Sequence, residues 1–148
     1  MGQMVISRTG ELTQRDLAIV EWIGRVGAVT VDQVARRFGL SRTRAYVCVG
    51  RCVAMGLLER TRLLHRAPAL LVATREGLSG AGLALPRARL SPALARHYET
   101  CGLVAVWLAE RHGGRAVLSD RELRLEDRRA GRPIASAEVG ELPNGASR

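Results

Sequence analysis

Only one residue, Leu40, separates Gly39, which suits the end of one helix, from Ser41, which suits the start of the next. Glycine readily adopts the left-handed conformation that closes many helices, and a serine side chain satisfies free amides at a helix N-terminus. The connection has the length that a helix-turn-helix requires. This spacing predicts two consecutive helices joined by a tight turn.

The residues on either side of this turn predict three short helices. The first begins after the N-cap Thr13 and ends at Gly27, with apolar residues at helical spacing between them. The second begins at Thr30, which with Gln33 forms a T-x-x-Q capping box. The third spans residues 41–55, so two of the three helices flank the turn.

The rest of the chain predicts a hairpin followed by more helix. Residues 57–64 and 69–73 are apolar, strand-like runs on either side of a basic tip. A long helix over residues 91–112 follows, and the charged residues 119–129 suit either a strand or a helical turn. The predicted fold class is therefore mainly α with a small β hairpin (α+β), a winged helix-turn-helix with an additional C-terminal helix and an irregular tail.

Composition shifts along the chain divide it into four parts. Residues 1–11 are predicted to be an N-terminal tail, and residues 12–84 a winged helix-turn-helix domain. Residues 85–130 contain a linker, the long helix and the charged segment, with a role in packing or dimerisation. Residues 131–148 are rich in Gly, Pro and Ser, which is typical of an irregular tail.

The long helix carries an apolar stripe that predicts its buried face, with Trp107 beside it. His97 lies at the edge of this stripe and is expected to be a core or interface histidine. A homodimer formed through residues 91–112 is a further expectation from the same stripe. The predicted buried residues are Leu94, Tyr98, Cys101, Val104, Ala105 and Leu108.

Positive charge is concentrated around the turn and the hairpin. The net charge is +9, all the cationic side chains are arginine, and residues 36–66 contain eight of them with Glu59 as their only acid. A concentrated basic patch favours a polyanionic partner, and arginine can bond phosphate or guanine with two donors at once. We therefore expect double-stranded DNA as the partner.

In a helix-turn-helix the helix after the turn lies in the DNA major groove, with its N-terminal residues at the base edges. Arginines of a basic hairpin would reach phosphates or the minor groove. The residues predicted to bind DNA are Arg37, Ser41, Arg42, Thr43, Arg44, Tyr46, Arg51, Arg60, Arg62, His65 and Arg66.

Two cysteines four residues apart, Cys48 and Cys52, raise the alternative of a metal or redox site. They share a helix face with apolar neighbours, and no other Cys or His is close in sequence, although Cys101 and His97 lie on the later helix. We expect buried structural thiols, no metal and no cofactor. No catalytic arrangement of side chains is found, so no enzymatic activity is predicted.

The sequence also bears on the cellular compartment. It contains no signal peptide and no apolar run long enough to cross a membrane, and its odd number of cysteines does not suit a disulfide framework. A cytoplasmic, nucleoid-associated protein without membrane contact is therefore expected.

The run LTQRDLAIVEWIGRVGAVTVDQVARRFGLSRTRAYVCVGRCVAMGLLER resembles the winged-helix half of the replication-relaxation family. That family consists of proteins of bacterial plasmids and integrated mobile elements, frequent in actinobacteria. LVATREGL resembles the family's strand and helix after the wing, the helix around His97 resembles a family helix, and SDRELR a further segment. Together the matching stretches cover roughly residues 12–126.

The resemblance implies sequence-specific DNA binding that controls replication, transfer or transcription of a mobile element. Longer members continue with an acidic strand pair reminiscent of nucleases, and this chain lacks it, which puts a nuclease-like function in doubt. A general repressor similar to MarR-like or PadR-like regulators remains an alternative. A partial, metal-dependent nuclease and a protein-binding winged helix are the others.

Overall fold

The computed structural model describes residues 11–113 and 117–132, and these are mainly helical with a three-stranded antiparallel sheet. The predicted α+β class is confirmed. The predicted terminal tails lie, apart from Glu11, Gly131 and Arg132, outside the described residues. The elements are α1 (Gln14–Val26), β1 (Ala28–Val29), α2 (Val31–Phe38), α3 (Arg42–Ala54), β2 (Leu58–Thr61), β3 (Leu70–Ala73), α4 (Arg75–Gly80), α5 (Pro92–Arg111) and α6 (Asp120–Ala130).

The first three helices begin where their capping residues predict. The hydroxyls of Thr13, Thr30 and Ser41 accept backbone N–H groups of their own first turns at 3.1, 3.2 and 3.2 Å. Such a cap contributes about 1 kcal/mol to stability. Gly39 adopts φ 62°, a left-handed conformation that favours glycine, and so turns the chain from α2 into α3.

The predicted hairpin is confirmed, with strands shorter than the apolar runs suggested. β2 and β3 pair antiparallel from Leu58 opposite Ala73 to Thr61 opposite Leu70. β1 pairs with the other edge of β3 and gives the sheet order β1-β3-β2. The sequence gives no sign of β1, because two residues between two helices are too few to show an alternating pattern.

The core forms where α1, α2 and α3 meet the inner face of the sheet. Ile19 and Ile23 of α1 are completely buried, as are Val34 of α2, Val49 of α3 and Leu71 of β3. This packing uses the inner faces of all three helices. The outer face of α3 is therefore left to solvent.

The predicted buried face of α5 was wrong. Ala95, Gly102 and Val106 are the buried residues of this helix, whereas Leu94 and Val104 are 41% and 47% exposed and His97 is exposed. The helix is rotated from the prediction by about one residue, roughly 100°. Small side chains rather than large ones face α2 and β1, because the helices approach closely there.

The close approach of α5 is visible at Gly102. A Cβ atom added there would lie 2.3 Å from Oε1 of Gln33. That oxygen accepts the backbone N–H of Thr30, and Nε2 of Gln33 donates to the carbonyl of Glu99 at 2.7 Å. One side chain thus caps α2 and anchors α5.

The charged segment after residue 118 is a helix, whereas the sequence had allowed either a strand or a helical turn. Ser119 and Glu122 form a capping box at the start of α6. Nε of Arg25 on α1 donates to Glu122 at 2.8 Å. This contact and the packing of Leu125 against the core hold α6 beside α1.

Candidate nucleic-acid interface

The N-terminal half of α3 presents polar side chains to solvent. Arg42, Thr43, Arg44 and Tyr46 are exposed, whereas Ala45 between them is completely buried. This division follows from helical spacing, because the inner face of α3 is fixed by the core. The predicted recognition residues of α3 therefore lie on one accessible surface.

Ser41 is also exposed, but its side chain already has a structural task. Its oxygen accepts the backbone N–H of Arg44, which fixes the start of α3. The free N–H groups of this first helical turn carry partial positive charge, which favours an anion. Ser41 thus positions the N-terminus of α3.

Tyr46 connects α3 to the hairpin. The guanidinium carbons of Arg42 and Arg60 lie 5.8 and 5.4 Å from the centre of its ring. Both distances are within the range of cation–π contacts. Arg42 of α3 and Arg60 of β2, which are distant in sequence, therefore lie beside the same ring. The positively charged residues of α3 and β2 are thus continuous on the surface.

Arg42 also forms an ion pair with Asp32 at 3.2 Å, with side chains 71% and 61% exposed. Exposed pairs of this kind contribute about 0–1 kcal/mol, so the guanidinium can exchange this partner at little cost. Within residues 11–113 and 117–132, no Asp or Glu forms an ion pair with Arg44 or Arg60.

The connection between β2 and β3 carries the remaining hairpin residues. Arg62, His65 and Arg66 are all exposed there. Arg66 adopts φ 61°, a left-handed conformation that turns the connection back toward β3. We call the exposed side chains of α3 and of residues 58–69 the basic surface.

Arg37 stands apart from this surface in its contacts. It is exposed in the last turn of α2, with its guanidinium 5.4 Å from the ring centre of Phe38. Its neighbour Arg36 forms a two-donor ion pair with Glu110 of α5, both distances being 2.8 Å. The two adjacent arginines therefore have different surroundings.

The prediction that Arg51 binds DNA is not supported, because its guanidinium is paired with a carboxylate of α1. Its guanidinium donates to both carboxylate oxygens of Asp16 at 3.1 and 3.2 Å, and Asp16 has no exposed surface. Removing a buried ion-pair partner is strongly destabilising. Arg51 thus holds α1 to α3, and we leave it out of the basic surface.

Sequence reasoning overlooked Asp16 as a core residue. At the N-terminal end of α1 its carboxylate also accepts the backbone N–H of Thr13 at 2.9 Å. Its spacing from Ile19, Val20 and Ile23 could have revealed the burial, because all four share one helix face. A carboxylate on such a face requires a cation.

The prediction that the α3 cysteines are buried is confirmed. Cys48 and Cys52 are 4% and 0% exposed. Burial raises the pKa of both thiols, that of Cys52 to about 12. Within the described ranges, no group of three or more His, Cys, Asp or Glu side chains could hold a metal ion.

Among the helices of the described residues, none is both long and apolar enough to cross a membrane. Comparison of the chain with family models, with curated proteins and with solved structures finds no match in any of the three. The resemblance to the replication-relaxation family therefore stays a prediction from the sequence.

Proposed function

We propose that this chain is a winged helix-turn-helix protein that binds double-stranded DNA sequence-specifically. The observation that carries the proposal is the basic surface, on which Tyr46 joins the exposed N-terminus of α3 to the arginines of the hairpin. The element order also supports it, since α2 and α3 correspond to the helix-turn-helix and β2 and β3 to the wing. Double-stranded DNA fits both the charge and the shape of such a surface.

In the proposed complex, α3 lies in the major groove. Arg42 and Arg44 would donate to guanine O6 and N7, each good pair contributing about 1–3 kcal/mol of discrimination. The hairpin arginines would bind phosphates, which strengthens binding to any sequence. Sequence preference is thus assigned to α3, and general affinity to the hairpin.

The biological role follows from the resemblance. We propose control of replication, transfer or transcription of a mobile element, with a general transcriptional repressor as the alternative. Mapping the bound sites in host and plasmid DNA distinguishes them, since sites clustered at an origin favour the first and sites confined to promoters favour the second.

The partner for half-site recognition is proposed to be a second copy of the chain. Leu103 and Trp107, four residues apart on α5, are 49% and 46% exposed and so form an apolar pair on one face of the helix. A dimer through α5 would pair two α3 helices and favour DNA sites with two-fold symmetry.

The direct test removes Arg42 and Arg44 together by substitution with alanine. We expect the dissociation constant for a selected DNA site, measured by fluorescence anisotropy, to rise at least about tenfold, because two base contacts are lost. The matched control replaces Arg128 and Arg129 of α6, which removes the same charge from exposed positions outside the basic surface. Equal affinities of the two double variants would contradict the proposal and favour a protein-binding winged helix.

A second measurement separates the roles of helix and hairpin. Replacing Arg60 and Arg62 by alanine should lower the slope of log affinity against log salt by about 2 in magnitude, because about one ion is released per neutralised phosphate. Sequence preference should persist in this variant. The proposal includes no catalytic step, so plasmid DNA incubated with the protein and Mg²⁺ or Mn²⁺ should remain uncut.

A further inference from the structure

A cavity of about 530 Å³ lies between α1, α5 and α6. Its apolar walls include Trp22 and Val26 of α1, Tyr98 and Leu108 of α5, and Leu118 before α6. None of the described residues that line it belongs to α3 or the hairpin, so it is separate from the basic surface. Its volume falls within the range of about 300–1,000 Å³ that is typical of small-molecule sites.

The charged side chains that line this cavity do not balance. Four arginines line it against two acids, Asp120 and Glu122. Glu122 is paired with Arg25 at 2.8 Å and Asp120 with Arg124 at 3.0 Å. The two arginines that remain, Arg37 and Arg121, form no ion pair with any acid in the described part of the chain.

Arg37 and Arg121 differ in how many of their guanidinium N–H donors are already hydrogen-bonded. Arg121 is half-buried and donates to the backbone carbonyls of Gly24 and Pro86, and burial lowers its pKa. Arg37 has no such carbonyl partner in residues 11–113 and 117–132, and its guanidinium lies over the ring of Phe38. That ring in turn contacts Trp22 edge-on at 6.0 Å. A guanidinium with free paired donors therefore stands beside an aromatic wall.

We infer that this cavity binds a small aromatic carboxylate. The ring would lie among Trp22, Tyr98 and Leu108, and the carboxylate would accept two hydrogen bonds from Arg37. A guanidinium and a carboxylate match in geometry, and charged partners make hydrogen bonds about twice as strong as neutral ones do. The anion would also offset the excess positive charge around Arg121. This inference does not depend on DNA binding.

The test uses 2-naphthoate as the probe and isothermal titration calorimetry of the full chain without DNA. We expect saturable binding of about one equivalent, and affinity at least about tenfold lower for the neutral 2-naphthamide, equivalent to about 1.4 kcal/mol. No saturable binding of 2-naphthoate, or equal affinity for the amide, would overturn the inference.

Two variants locate the site, and each has a matched control. Arg37→Gln removes the guanidinium, and Ala105→Phe fills the cavity from α5; both should weaken 2-naphthoate binding at least about tenfold. Their controls are Arg96→Gln and Ala93→Phe, at exposed positions of α5 that do not line the cavity. Thermal unfolding shows whether Ala105→Phe is folded, and Arg37, being exposed, gives an independent answer. If the controls weaken binding as much as the test variants do, the inferred site is wrong.

Discussion

Among the residues that the structure describes, Asp16 is the one charged residue that is buried. It accepts two hydrogen bonds from Arg51 and one from the backbone of Thr13, and it has no exposed surface. We expect Asp16→Asn to lower the free energy of unfolding by about 3 kcal/mol, the lower end for a broken buried ion pair, because Arg51 is itself 29% exposed. Chemical denaturation measures this change. Asp32→Asn is the control, since its exposed pair with Arg42 should contribute less than about 1 kcal/mol.

The same residue predicts how stability depends on pH. Burial alone would raise the pKa of Asp16, but hydrogen bonds from Arg51 and Thr13 and the charge of Arg51 outweigh burial and lower it. Because folding lowers the pKa, Asp16 stabilises the fold above its unfolded-state pKa of about 3.9, and this contribution is lost as the pH falls through the folded-state pKa. The unfolding free energy of the unmodified chain should therefore fall more steeply below about pH 4 than that of Asp16→Asn. Parallel curves would contradict the assignment.

The thiols allow a second prediction for single residues. Burial raises the pKa of all three thiols, that of Cys52 to about 12. Cys48 and Cys52 are buried, whereas Cys101 is partly exposed. Since the thiolate is the reactive form, a thiol reagent at pH 8 should modify Cys101 first. In Cys101→Ser the folded chain should react slowly until guanidinium unfolds it. Fast labelling of that folded variant would show that α3 opens.

Helix boundaries were predictable because they depend on local chemistry. Thr13, Thr30 and Ser41 each bond to an amide of their own helix, so spacing along the chain is enough to find them. The ion pair between Arg51 and Asp16 was not predictable in this way, since it depends on how two helices that are distant in sequence are oriented. For the candidate site, helical spacing predicted the exposed face of α3. The contact of Arg60 with Tyr46 could not be predicted from spacing, because it depends on how β2 packs beside α3.

The orientation of α5 shows why hydrophobicity alone can mislead. The largest apolar side chains form a stripe that predicts a buried face, yet the helix packs through Ala95, Gly102 and Val106. Small residues permit a short distance between helix axes, and the hydrogen bond from Gln33 to the carbonyl of Glu99 requires that distance. The need for small residues in α5 is therefore set by its neighbours α2 and β1, and the sequence of α5 alone does not show it.

A glycine-to-alanine comparison tests this close packing. A Cβ at Gly102 would lie 2.3 Å from Oε1 of Gln33. The Gln33 side chain cannot move away without losing two hydrogen bonds, the one that Oε1 accepts from the Thr30 N–H and the one that Nε2 donates to the Glu99 carbonyl. We expect Gly102→Ala to lower the free energy of unfolding by about 1–3 kcal/mol, as in overpacked cores. Gly50→Ala is the matched control, since nothing lies within 4 Å of its added Cβ and alanine favours a helix by up to about 1 kcal/mol. Thermal and denaturant unfolding should show a lower free energy of unfolding for Gly102→Ala and a higher one for Gly50→Ala than for the unmodified chain.

At the scale of the whole molecule, the basic surface and the exposed apolar pair of α5 lie on different elements. The basic surface belongs to α3 and the hairpin, and the exposed apolar side chains Leu103 and Trp107 belong to α5. α5 reaches the core of the fold through α2 and β1, so that a second copy bound to α5 would leave α3 accessible. This separation is what a DNA-binding dimer requires, because one surface must be covered while the other remains open.

The dimer prediction can be tested with the surface of α5 alone. A helix of 20 residues is about 30 Å long, enough to contribute much of the roughly 800 Å² per partner that a stable interface buries. We expect the unmodified chain to sediment as a dimer in analytical ultracentrifugation, and the double variant Leu103→Glu, Trp107→Glu to sediment as a monomer, because buried like charges repel. Val47→Glu, at an exposed position of α3, is the control and should remain dimeric. A monomeric unmodified chain, or a dimeric double variant, would show that α5 is not the interface.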